Sequence, residues 1–200
     1  MSQAAPLPAS GSPIQVFRDP ESFIGRWHRG GAPYSLGVFL FLALVAMAGT
    51  AAYGAMMGLF GTAKGDVSYA AGANTLAAAI AWLVPLPAVY ILNSMTGMRL
   101  RASTTFLAAL VTAAWGGLAF LAFLPIALVY LLTFPGNKAV ALFAHLVVFC
   151  LVGFSMAYIF GRQIEHLEPR RGGGRVWWLW IFVLLEVQLL YTFGLVTFEV

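Results

Sequence analysis

Five long stretches almost without charge fix most of what this chain can become. Counting Asp, Glu, Lys and Arg, residues 30–63, 67–98, 102–137 and 139–161 carry none, and 176–198 carries only Glu186. About 20 residues of helix, rising 1.5 Å each, cross the ~30 Å hydrocarbon layer of a bilayer. Each stretch is long enough. A soluble domain would need polar surface that this chain lacks. Of its 200 residues 61 % are apolar and 9 % charged, against roughly 45–50 % and about 25 % in soluble proteins. The sequence specifies an all-α, polytopic transmembrane helix bundle.

Spans are predicted near 35–60, 72–96, 104–133, 139–161 and 176–197. The third stretch tempts one to draw two spans, but Pro125 would leave too few residues before Pro135 for a second crossing. The basic residues give the same answer, because Lys and Arg collect in cytoplasmic loops. Five spans with the N-terminus cytoplasmic and the C-terminus outside put Arg18, Arg26, Arg29, Arg99, Arg101, Arg162, Arg170, Arg171 and Arg175 inside, leaving Lys64 and Lys138 outside. A sixth span would move the basic 162–175 loop to the other side. Tyr34, Trp177, Trp178 and Trp180 fall near span ends, where interfacial aromatic rings belong.

Before the first span, residues 1–16 are rich in Pro, Ala and Ser and read as a disordered N-terminal tail. No apolar signal-peptide core occurs in the first thirty residues, so targeting is expected to come from the first span. Residues 17–33 read as a short interfacial amphipathic segment. Asp19 is placed to cap a helix with Pro20 at its first position. Phe23, Ile24 and Trp27 would share one face, with Arg26 and Arg29 beside them to meet phosphate head groups. Residues 34–200 then form the five-helix transmembrane domain, with 162–175 as a flexible basic turn.

The net charge of +4 is explained by orientation in the membrane, and no basic stripe interleaved with aromatics suggests nucleic acid. Cys150 is the one cysteine; it has no disulfide partner and is expected as a small buried residue.

Several polar residues fall inside predicted spans. Glu186 lies close to the middle of the last one, where a carboxylate costs several kcal/mol unless it is protonated, paired or wetted. It suits a proton relay, an ion site or a contact to another helix. Gln188 lies about 200° further round the same helix, so the two face opposite ways and imply protein or water on both sides. His145 lies in the outer half of the fourth span, within about 7 Å in depth of Glu186, and would pair with it if the helices were neighbours. Haem between helices would need a second axial donor that the spans do not offer. No cofactor and no metal are expected. Asn74 and Asn93 add polarity to the second span, which Pro85 and Pro87 must kink or break; Pro125 does the same in the third.

Small residues mark close helix approaches. Gly54-x-x-x-Gly58 is a small-xxx-small pattern, and Gly116 and Gly117 offer a second contact. The mates of these glycines are left open between this chain and another subunit. No phosphate-cradling loop, zinc-protease helix or nucleophile elbow occurs.

The run Tyr53-Gly54-Ala55-Met56-Met57-Gly58, with Leu86-Pro87-Ala88-Val89-Tyr90-Ile91-Leu92-Asn93, Gly97 and Arg99-Leu100, resembles a group of small bacterial polytopic membrane proteins. That resemblance implies the bacterial inner membrane and no particular activity. The five-span, N-inside topology is similar to that of the Yip1-type membrane proteins. The expectation is a membrane protein without a catalytic signature, a subunit or accessory protein of a larger membrane assembly or a homo-oligomer. The alternative is a small proton- or ion-coupled carrier or channel centred on Glu186.

Overall fold

The protein is described here by a computed structural model. It describes residues 14–30, 36–60, 66–95 and 100–167, together with Leu184, Leu185, Gln188, Leu189, Tyr191, Thr192 and Phe193. Every regular element among the described residues is helical. Two short helices, α1 (Gln15–Arg18) and α2 (Pro20–His28), precede α3 (Leu36–Leu59), α4 (Val67–Leu83), α5 (Leu86–Met95), α6 (Ala102–Thr133) and α7 (Lys138–Leu167). Four helical stretches are long and apolar enough to span a membrane: Leu36–Leu59, Val67–Ile91, Ala102–Thr133 and Lys138–Leu167. The predicted fifth span falls mostly outside the described residues.

The spans pack in the order α4, α3, α6, α7. One end of the bundle holds the starts of α3 and α6 and the end of α7, all against α2. There Trp27 stacks edge-on to Phe39 at 5.7 Å, His28 Nδ1 lies 3.4 Å from Thr104 Oγ1, and Glu21 pairs with Arg162 at 2.8 Å. In the most apolar window of each span only 28–39 % of residues are buried. So much exposed apolar surface is stable only against lipid or another membrane protein.

Capping sets the helix starts. Asp19 Oδ1 accepts from the backbone N–H of Ser22 at 3.1 Å, with Pro20 at the first position of α2. Asp66 Oδ1 accepts from Tyr69 N–H at 2.7 Å and from Ser68 Oγ at 2.8 Å. That cap starts α4 at Val67, five residues before the predicted 72. The second apolar run is divided, with Val84 and Pro85 in a turn between α4 and α5 and Pro87 in the first turn of α5. There a proline costs little, because first-turn N–H groups have no intrahelical acceptor. Pro125 sits inside α6 without ending it.

The fourth span differs most from expectation. It continues as helix through Arg162, Gln163, Glu165 and His166 to Leu167, so the first part of the predicted flexible turn is helical. With 30 residues in α7 and 32 in α6, these helices are about 45 and 48 Å long, some 15 Å more than the hydrocarbon layer needs. The start of α6 and the end of α7 meet α2. Val16, Phe23 and Ile24 are buried in the common core, with Phe17 edge-on to Phe41 and Trp115 at 6.0 and 5.8 Å. The apolar face of α1 and α2 therefore covers the bundle and not lipid. Rows of apolar side chains already present on α6 and α7 offer it a drier contact than the head-group region does.

Candidate functional site

Where helices meet in hydrocarbon, small residues let backbones touch. A Cβ on Gly49 would collide with the Gly117 carbonyl, and one on Gly117 would lie 2.8 Å from Ala46 Cα. These two glycines set the crossing of α3 and α6. Gly54 lies against the Ala70 carbonyl and Asn74 of α4; a Cβ on Gly58 would lie 2.8 Å from Val67 Cα. Gly116 faces Met156 of α7. The mates left open by the sequence are all in this chain.

Three buried polar contacts sit among these crossings. Tyr53 of α3 and His145 of α7 hydrogen-bond through the phenol and Nδ1 at 3.0 Å, inside an aromatic group in which Tyr53, Phe120 and Phe149 lie 5.1–5.5 Å apart by ring centroid. Tyr53 is 0 % and His145 2 % exposed, so the pair meets neither lipid nor water. In the second contact Asn74 Nδ2 donates to the Thr50 carbonyl at 2.7 Å, and the hydroxyls of Thr50 and Thr75 are 3.3 Å apart. In the third Thr112 Oγ1 donates to Gln163 Oε1 at 3.3 Å. Asn74 Oδ1, Gln163 Nε2 and Trp115 Nε1 are buried without a hydrogen-bond partner among the described residues.

Beside the second contact an apolar cavity of about 290 Å³ lies between α3, α4 and α6, lined by Ala46, Ala79, Trp82, Ala113 and Gly117 among others. Alanine and glycine on three facing helices leave it. Met47, Leu83 and Phe106 stand at its rim and are exposed. Thr50 and Thr75 are its hydroxyl groups. Such a space accepts an apolar chain and offers no charged group to one.

The sequence-predicted residues are thus dispersed. His145 meets Tyr53; Asn74 joins α4 to α3; Asn93 lies in α5 and Gln188 on an exposed helical turn. Glu186 falls outside the described residues. Leu189 and Phe193 pack against the core, and Tyr69 donates from its hydroxyl to the Phe193 carbonyl at 3.1 Å, so Phe193 lies beside the start of α4. Cys150, expected buried, is exposed on α7. Among the described residues no three His, Cys, Asp or Glu side chains are grouped to hold a metal. Sequence reasoning missed Tyr53, Thr50, Thr112 and Gln163. Their one signal was polarity within or just past an apolar run, which many unpaired surface residues share. Comparison with protein-family profiles, curated proteins and solved structures finds no match to this chain.

Proposed function

We propose that this multi-pass membrane protein is a non-catalytic subunit or accessory protein that works through another membrane protein or a second copy of itself. The reading includes a fifth span over 176–197 and places the basic end of the bundle in the cytoplasm of a bacterial cell. The observation that carries it is Gln188. Its side chain is exposed, near the middle of an apolar run. An amide left against hydrocarbon costs on the order of 4 kcal/mol, and a polar group on an adjoining helix removes that cost. The glycine motif gives no support, since its mates are intramolecular.

Mild-detergent extraction from native membranes, followed by mass spectrometry, tests the reading. A stoichiometric partner or a defined homo-oligomer is expected, weakened in Gln188→Leu. A lone monomer with no companion in native membranes would overturn it.

The second reading is a proton or ion carrier centred on Glu186, favoured by Asn74 Oδ1 and Gln163 Nε2, which are buried and have no hydrogen-bond partner among the described residues. Buried polar atoms of this kind are the sites that internal waters satisfy. Loss of flux in Glu186→Gln at unchanged abundance supports this reading; unchanged flux rejects it.

A further inference from the structure

The α1–α2 pair buries its apolar side in the bundle, so its polar side faces outward beside the start of α6 and the end of α7. Gln15, Arg18, Asp19, Ser22, Arg26 and Arg29 line one cleft on that side. Three arginines and one carboxylate thus line it. Asp19 is already engaged, accepting from the Ser22 N–H at 3.1 Å, and the acid within α2, Glu21, is drawn away to Arg162. A methyl group placed on Gly25 would lie 3.7 Å from an Nη of Arg29 and 3.8 Å from Nε2 of His166.

A second observation points to a ligand. Arg26 Nε is buried and has no hydrogen-bond partner among the described residues. A guanidinium N–H removed from water without an acceptor carries its full desolvation cost. An anionic oxygen ends that cost with a charge-assisted bond, and the planar guanidinium fork matches two oxygens of one phosphate. The Ser22 hydroxyl and the Gln15 amide add neutral donors at the same cleft.

We propose that this cleft is a binding site for a phosphate-ester anion, with Arg26 as its central donor and Arg18 and Arg29 closing it from either side. A site at head-group depth would be reached by an anionic phospholipid from the bilayer, and a site beyond it by a soluble phosphate from water.

Two arms separate those sources. In the first, the full chain is placed in nanodiscs of phosphatidylcholine with phosphatidylglycerol, and retained lipids are counted by native mass spectrometry. Preferential retention of phosphatidylglycerol is expected, falling about fivefold for each Arg removed in Arg18→Gln, Arg26→Gln and Arg29→Gln. Arg26→Lys, which keeps the charge and removes the fork, should fall as well. Arg162→Gln, outside the cleft, should retain the preference. In the second arm, inorganic phosphate is titrated against lipid-free protein in detergent. A rise in Tm that Arg26→Gln abolishes, without lipid preference in the first arm, supports the same site with a soluble phosphate as its ligand. Should Arg26→Gln fail to fold, the exposed Arg18 and Arg29 variants carry both arms. Absence of any preference or Tm rise in the wild type, or a preference that no cleft variant alters, overturns the proposal.

Discussion

The seam joining α3 to α4 and α6 and the layer that α1 and α2 build at one end of the bundle are held by opposite means. In the seam Gly49, Gly54, Gly58 and Gly117 bring backbone against backbone, and few side chains intervene. In the end layer Val16, Phe23 and Ile24 are driven into the core, and Glu21 reaches for Arg162. The solvent explains the difference. Between helices in lipid there is no hydrophobic force to gain, since a methyl group is as comfortable in acyl chains as in protein; close packing and hydrogen bonds must hold the contact. Charged side chains crowd the end layer, and where water reaches them removing apolar surface from it stabilises in the usual way. One chain uses both rules within a few turns of helix.

Substitutions that exchange the two rules should separate the regions, and the seam should suffer most. Gly117→Val drives a branched side chain into the Val45 carbonyl and Ala46. We expect more than about 3 kcal/mol of destabilisation, read as loss of folded protein in detergent unfolding curves. Gly72→Ala on α4, where a Cβ meets nothing within 4 Å, should instead stabilise slightly, by up to about 1 kcal/mol. Equal damage from both would mean that helical glycines matter here for some reason other than close approach.

Phe23→Ala is the counterpart in the end layer. It removes a ring that is 1 % exposed and should cost about 3 kcal/mol of local stability. The expected result is release of α1 and α2, seen as proteolysis at Arg18 and Arg26, while the span region keeps its unfolding midpoint. A drop in that midpoint as large as for Gly117→Val would show the two regions to be one cooperative unit.

Smaller effects sharpen the contrast. Tyr53→Phe takes the hydroxyl from the 3.0 Å contact with His145 and should cost about 1 kcal/mol, in line with hydrogen bonds between membrane helices. The smallest effect is expected at Asp19, whose carboxyl is held below its ordinary 3.8 by the hydrogen bonds from Ser22 and then by the nearby Arg26. A carboxyl with a lowered folded value stabilises fully above 3.8 and loses that contribution as pH falls through the lowered value. For this exposed cap the contribution is under about 1 kcal/mol. Hydrogen exchange, corrected for its intrinsic pH dependence, should show α2 loosening on acidification below about pH 4 before α3 or α6 does. Simultaneous loosening of all three would break the comparison.

Much of the fold was legible because its causes are local. Charge-free runs locate spans by length, prolines divide the second run after Leu83, and Asp19 heads a helix in the sequence as in the structure. The start of α4 was missed by five residues because hydropathy does not register a cap such as Asp66. The end of α7 was missed because a charged residue ends an apolar run without ending a helix. The site was less legible. Nothing around His145 names Tyr53, 92 positions away, and nothing around Gly49 names Gly117.

The sequence by itself determined that this chain enters a membrane, that it does so as helices and roughly where they start and stop. Hydropathy, length and caps act within one turn or one run, and a bilayer leaves backbone polar groups no other satisfaction. Only the tertiary structure decided which glycine meets which backbone, that Asn74 joins α4 to α3, and that α2 turns its apolar face to the bundle while Arg18 and Arg29 at its two ends stay exposed. Those outcomes depend on how helices cross, and crossing is set by the summed fit of many small contacts between residues far apart in the chain.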